Sequence, residues 1–208
     1  MEAIVAFGAA LVALRLAGEL GRRWRVRRAP ELLAWTASLA AYAVAAGAMA
    51  WGAAYGWNEA AFRVYYLGGA LLTAPLLGAG SLLLAGVRGV KPVAIAYAGL
   101  AVGVVLAMSV HGAFDPSGIP EAQAHLDVFP ARILAIAGNV AGTLAVVVVA
   151  LLSIRRRPLG NALILAGVAT AALGSALAGL GEAETALFVA LAAALLYAGF
   201  VAKPRRHT

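Results

Sequence analysis

The sequence predicts an all-α, polytopic membrane protein: a bundle of seven transmembrane helices, N-terminus outside and C-terminus cytoplasmic. Three observations point there. Apolar residues make up 63% of the chain and charged residues only 12%, against about half and about a quarter in soluble domains. The apolar residues come in blocks of roughly 20, the helix length that crosses a bilayer core of about 30 Å. Basic residues gather in every second connection between blocks, which is how cytoplasmic loops are marked. Seven spans consume most of the chain, so a single transmembrane domain over residues 1–208 is expected.

Span 1 covers residues 3–20. It has no basic stretch before it, and Arg22, Arg23, Arg25, Arg27 and Arg28 come after it, so it reads as an anchor inserted N-terminus first and not as a secretory signal. Arg15 and Glu19 are four residues apart and share a helix face, which predicts an intramembrane ion pair. Arg15 lies about 9 Å from the cytoplasmic end of the helix, within snorkelling reach. The pair reads either as an interfacial anchor or as a charge lining a cytoplasmic cavity.

Span 2 covers 32–55, with Pro30 and Glu31 suited to a helix first turn. Span 3 covers 60–86, with Asn58 as its N-cap and Glu59 in its first turn. Pro75 sits mid-span. Lacking an N–H, it frees the carbonyl of Leu71 and kinks the helix. With Thr73, Gly78, Gly80 and Ser81 around it, Pro75 is either a hinge or a packing kink. Span 4 runs from Pro92 to residue 110, ending near His111. A polar stretch with Pro116, Pro120 and Pro130 leads to span 5 at 131–153. Span 6 covers 158–180, and a Gly181–Glu184 turn leads to span 7 at 185–202. Trp24 and Trp35 suit the inner aromatic belt, and Trp51, Tyr55 and Trp57 the outer one. Gly99-x-x-x-Gly103 and Gly138-x-x-x-Gly142 are small-xxx-small pairs that allow close helix approach.

The charge map sets the orientation. The first loop carries five Arg, the third Arg88 and Lys91, the fifth Arg155, Arg156 and Arg157, and the tail Lys203, Arg205 and Arg206. The other side carries only Arg63 and Arg132, with Glu59, Asp115, Glu121, Asp127, Glu182 and Glu184. The basic groups therefore fix topology in a cell membrane and meet anionic cytoplasmic headgroups; nucleic acid is not an expected partner, because a net charge of +7 spread this way is a topology signal.

Polar groups inside a bilayer are costly and mark places to look for function. Toward the outer face, Glu59 and Arg63 are four apart, with Tyr65 and Tyr66 just beyond. His111 and Asp115 follow span 4, and Arg132 opens span 5, with Asn139 and Thr143 on the same stripe. Asn139 lies about 10 Å deeper than Arg132. Together these nine residues predict an outward-facing vestibule between spans 3, 4 and 5 that takes a small polar or anionic solute. The bland alternative is that Arg63 and Arg132 pair with nearby acids and tie helix ends together.

No cofactor is expected. Lys91 and Lys203 flank spans and none lies within one, which excludes a retinal Schiff base. The chain has no cysteine, removing thiolate chemistry and Cys-ligated metals. Haem or metal ligation by His111 and His125 would need the loop between spans 4 and 5 to fold back. No nucleotide-binding, nucleophile-elbow or zinc-hydrolase motif is present.

The stretches Phe62–Ala70, Pro75–Ser81 and Ile136–Leu144 resemble an uncharacterised family of small bacterial seven-helix membrane proteins. The resemblance runs from span 3 to span 7. It implies no activity, and it points to Arg63, Tyr65, Tyr66, Asn139 and Thr143. In helix count and orientation the chain also looks like the sugar-transporting SWEET class, without the proline-glutamine pair of the related PQ-loop carriers; fold alone does not carry function. Three readings follow: a carrier or binder of a small molecule; a non-catalytic sensor or accessory subunit, as a homo-oligomer or with a membrane partner; and a His-dependent redox protein or membrane enzyme.

Overall fold

The computed structural model describes residues 2–115, 118–155, 158–178 and, near the C-terminal end, 188, 191, 192, 194–196, 198 and 199. Its regular elements are all helical. The expected span 7, the 181–184 turn, Arg156, Arg157 and the basic tail lie largely or wholly outside the described residues.

Helix α1 (Glu2–Arg27) and helix α2 (Pro30–Tyr55) form a hairpin through Arg28 and Ala29. They pack together, Ala6 with Met49 and Ala50 and, farther along, Leu16 and Leu20 with Trp35 and Leu39. The helix of α1 outlasts its apolar span by several residues, because hydropathy marks where lipid ends and not where a helix ends. Glu19 supports the extension by bonding Arg22 and, at 3.0 Å, Arg23. The expected partner of Glu19 was Arg15; the structure gives the carboxylate to the arginines nearer the helix end, and leaves Arg15 exposed on the surface. Those partners let the charged groups stay at the polar boundary instead of holding a pair within hydrocarbon.

Helix α3 (Glu59–Leu84) starts where predicted, with Asn58 Oδ1 accepting the Ala61 N–H at 2.9 Å. Its middle, Tyr66–Thr73, is π-helical, bonded five residues apart in place of four. Helix α4 (Val90–Ala107) follows a tight turn in which Gly86 and Gly89 take φ of +79° and +81°, values that glycine reaches at little cost. Helix α4 ends earlier than expected: Met108 is already extended, so His111 lies in the following loop and not on the span. A single turn, α5 (Ala122–His125), and a wide turn at Val128–Arg132 lead into helix α6 (Ile133–Leu152). Helix α7 (Pro158–Ala178) comes next.

Among the described residues, five helical stretches are long and apolar enough to cross a membrane: Ala3–Arg27, Pro30–Tyr55, Glu59–Leu84, Val90–Ala107 and Val128–Leu152. The chain is therefore a helical, multi-pass membrane protein by length and composition.

Helix α3 is the centre of the bundle, packed against α2 on one side and α6 on the other. Gly68 faces α2: a Cβ there would lie 2.5 Å from the Ala41 carbonyl oxygen. Gly78 faces α6: a Cβ there would lie 2.6 Å from Gly142 Cα. The Gly138–Gly142 pair thus does what its spacing suggests. The Gly99–Gly103 pair does not, because no atom of the described residues lies within 4 Å of either Cβ position. Close backbone approach replaces the hydrophobic drive that lipid cannot supply.

A Cβ on Gly142 would stand 2.7 Å from the Pro75 nitrogen, against rigid backbone. Gly142→Ala should therefore cost about 1–3 kcal/mol, the range for overpacking. Gly99→Ala should leave stability unchanged or raise it by up to about 1 kcal/mol through helix propensity. Thermal unfolding in detergent, followed by circular dichroism, separates the two; equal effects would refute the α3–α6 contact.

Candidate functional site

Pro75 breaks the hydrogen-bond ladder of α3. In an α-helix it would leave the Leu71 carbonyl without its partner, as the sequence suggests. The π stretch shifts that vacancy by one residue. Carried one step further, the five-residue spacing sets the Pro75 nitrogen opposite the Ala70 carbonyl. Proline has no hydrogen to give, and Asn139 of α6 gives one instead, with Nδ2 2.7 Å from Ala70 O. The second Nδ2 hydrogen goes to Ala135 O at 2.9 Å, within its own helix. Both donors of the amide are committed. Ser38 of α2, fully buried, donates to Thr73 O at 2.7 Å, and Thr73 Oγ1 donates to Gly68 O at 2.7 Å. Ser38 is a residue that sequence reasoning passed over; its signal was a hydroxyl on an otherwise apolar face.

Arg63 is equally engaged. Its guanidinium bonds Glu59 at 2.6 and 2.9 Å, Met108 O at 2.8 Å, and Val105 O. Those two carbonyls belong to the C-terminal end of α4, where helix carbonyls lack intrahelical donors and the dipole favours a cation. Arg63 caps α4 from across the bundle, and Glu59 offsets its charge.

Tyr66 is itself part of an apolar core, and Tyr65 packs against it. Between spans 3, 4 and 5, where the vestibule was expected, Phe62, Tyr66, Leu71, Ala101, Val104 and Met108 pack with Leu126, Ala131 and Ala135. Tyr66 is 3% exposed and stacks on Phe62 at 5.9 Å. Tyr65 leans edge-on against Trp57 at 5.5 Å. Arg132 is half-buried at the head of α6, within electrostatic reach of Tyr66. Thr143 is half-buried deeper on α6, and Asp115 is exposed in the loop. Glu59, Arg63, Tyr65 and Tyr66 are brought together with the end of α4; Asn139 is tied elsewhere, to the Pro75 break.

The loop after α4 does fold back. The His111 N–H donates to His125 O at 2.9 Å, and His125 Nδ1 lies 2.8 Å from His111 O. A carbonyl only accepts, so Nδ1 of His125 carries the hydrogen. The ring is buried, 4.5 Å from Phe114 and 5.6 Å from Phe62. His111 Nε2 donates to Asp127 at 3.2 Å. Each histidine is thus a latch within the loop. Among the described residues, no group of three or more His, Asp or Glu side chains could hold a metal. Asn161, another residue the sequence reading missed, reaches from α7 to Ser153 Oγ at 2.9 Å and ties the end of α6.

Asn139→Leu leaves the Ala70 carbonyl unpaired and should lower stability by about 0.6 kcal/mol, at most about 1.7 kcal/mol, the range of intramembrane hydrogen bonds. Pro75→Ala restores a backbone N–H, so the same change made in that background should cost less. A double-mutant cycle of unfolding free energies checks this, and strictly additive costs would sever Asn139 from Pro75.

Comparison with protein families, curated proteins and solved structures finds no match to this chain.

Proposed function

We propose that the protein is a non-catalytic accessory or sensor subunit of a membrane assembly, and not a carrier of a polar solute. The observation that carries this reading is the commitment of its intramembrane polar groups. Arg63 and Asn139, the two that a carrier would turn toward solute, each donate to the backbone of a neighbouring helix, and their other bonds end on Glu59 and on Ala135 O of their own helices. A solute drawing on those donated hydrogens would compete with a helix cap and with the Pro75 break. The open face of α4 adds support. Gly99 and Gly103 leave a small-residue surface with none of this chain's described atoms near their Cβ positions, the kind of surface a partner helix fits. The runner-up reading, a carrier with its site between spans 3, 4 and 5, rests on the same polar cluster.

In this proposal the bundle has seven spans with the C-terminus cytoplasmic, in the cell membrane, as the regular alternation of basic connections suggests. The likeness to small bacterial membrane proteins belongs to the same reading.

The lack of native cysteine makes topology directly measurable. In intact cells, Ala113→Cys should react with a membrane-impermeant maleimide, and Val87→Cys only after permeabilisation; the reverse pattern overturns the orientation. For the role, Gly99→Leu with Gly103→Leu should abolish partner or self-association seen by crosslinking in native membranes while leaving thermal stability intact. Solute flux by the purified chain in proteoliposomes, lost on Arg63→Gln, would instead establish the carrier.

A further inference from the structure

A groove of about 300 Å³ opens between α3, α4 and α6. It shares no residue with the polar cluster near the outer face. Its back is the glycine contact of Gly78 with Gly142, where the helices touch backbone to backbone. Leu76, Leu82 and Val93 are among its walls, and small Ala94, Ala141 and Ala145 give it width. Tyr97 stands at the deep end, its hydroxyl turned to Leu134 O at 3.4 Å. From Val90 to Tyr97 the groove is about 10 Å long. At the other end sits Arg88, in the turn shaped by the two positive-φ glycines. Lys91 is exposed one helical position beyond Val90. Neither cation forms an ion pair with any described residue; the four ion pairs are made by other groups.

An apolar slot facing hydrocarbon selects nothing by itself, because lipid tails are as apolar as its walls. A slot with a cation, Arg88, lining one end only, and a second, Lys91, three residues on in sequence, is different. It matches an amphiphile with a negative head and a hydrocarbon tail, and basic pockets between transmembrane helices bind anionic headgroups. We propose that this groove is a specific site for an anionic phospholipid of the surrounding membrane. One acyl chain lies along Val93, Ala141 and Ala145, and the phosphate is held by Arg88 and Lys91. The volume suits a single chain segment and not two, and lies at the small end of ligand pockets. This site is independent of whether the protein is a carrier or an accessory subunit.

The test uses the full chain in nanodiscs of phosphatidylcholine containing a minor fraction of phosphatidylglycerol. Either lipid carries a diazirine in its acyl chain, and crosslinked peptides are mapped by mass spectrometry. Photoactive phosphatidylglycerol should label the α4 and α6 walls at least fivefold above photoactive phosphatidylcholine. Arg88→Ala with Lys91→Ala should erase that preference. Ala141→Phe, an exposed position that fills the slot, should remove labelling by both lipids, with helicity and unfolding temperature unchanged in all variants. Equal labelling by the two lipids overturns the proposal and leaves ordinary annular contact. So does a crosslink between the groove and the chain's own C-terminal residues, or a phosphatidylglycerol preference that survives loss of both cations. If Ala141→Phe unfolds the protein, Ala145→Leu gives the same reading.

Discussion

Within hydrocarbon no water can satisfy a backbone group, so every carbonyl and N–H must find its partner inside the protein. The structure turns on the one place where its sequence violates that demand, Pro75 in the middle of α3. A proline there removes a donor and crowds the preceding turn. The chain answers by widening eight residues to π register, which moves the deficit to Ala70, and by bringing in a side-chain amide from α6. Ser38 from α2 attaches to the same region from the opposite side. A local defect in one helix thus becomes the attachment point for two others, and the glycines at 68, 78 and 142 bring those helices close enough to reach it.

The same constraint explains a charge in the wrong place. Arg63 stands at the N-terminal end of α3, which the charge pattern predicts to lie outside, where basic residues are disfavoured. It is held there by carbonyls that α4 exposes when it stops at Ala107. A helix of 18 residues barely spans the core, so its terminal carbonyls lie close to lipid, and a guanidinium with Glu59 beside it satisfies them where water is scarce. Arg63 needs no solute to account for its position.

How much of this could be read beforehand divides along physical lines. Hydropathy located the long apolar helices, since burial in lipid depends on composition alone. The N-cap at Asn58 and the close contact of Gly142 followed from local spacing. The π register did not, because it depends on an amide 69 residues away in sequence meeting one carbonyl. The partner of Glu19 was misassigned for a related reason: equal spacing permits Arg15 or Arg23, and the choice is made by where the polar boundary falls. The nine candidates were grouped by their depth along the spans, and depth does not say whether the space between them is open. Phe62, Tyr66 and Leu71 fill it, and nothing in their spacing distinguishes a packed aromatic from a pocket lining.

Polar residues in a membrane bundle can serve structure or function, and hydrogen-bond accounting separates the two. A group kept for a ligand must have a donor or acceptor to spare, or a low-cost way to release one. Asn139 has no donor to spare: its two amide hydrogens end on two carbonyls, one of which proline leaves with no other donor. Arg88 is the reverse case. It sits at a flexible-residue turn beside an apolar slot, with its guanidinium uncommitted to any described carboxylate. Recognition in this molecule is therefore best sought not where polar groups are most deeply buried, but where a charge is left over at the edge of an apolar surface. Helix α4 carries such a surface on the side of Val93 and Tyr97, and a bare glycine face at Gly99 and Gly103 on another.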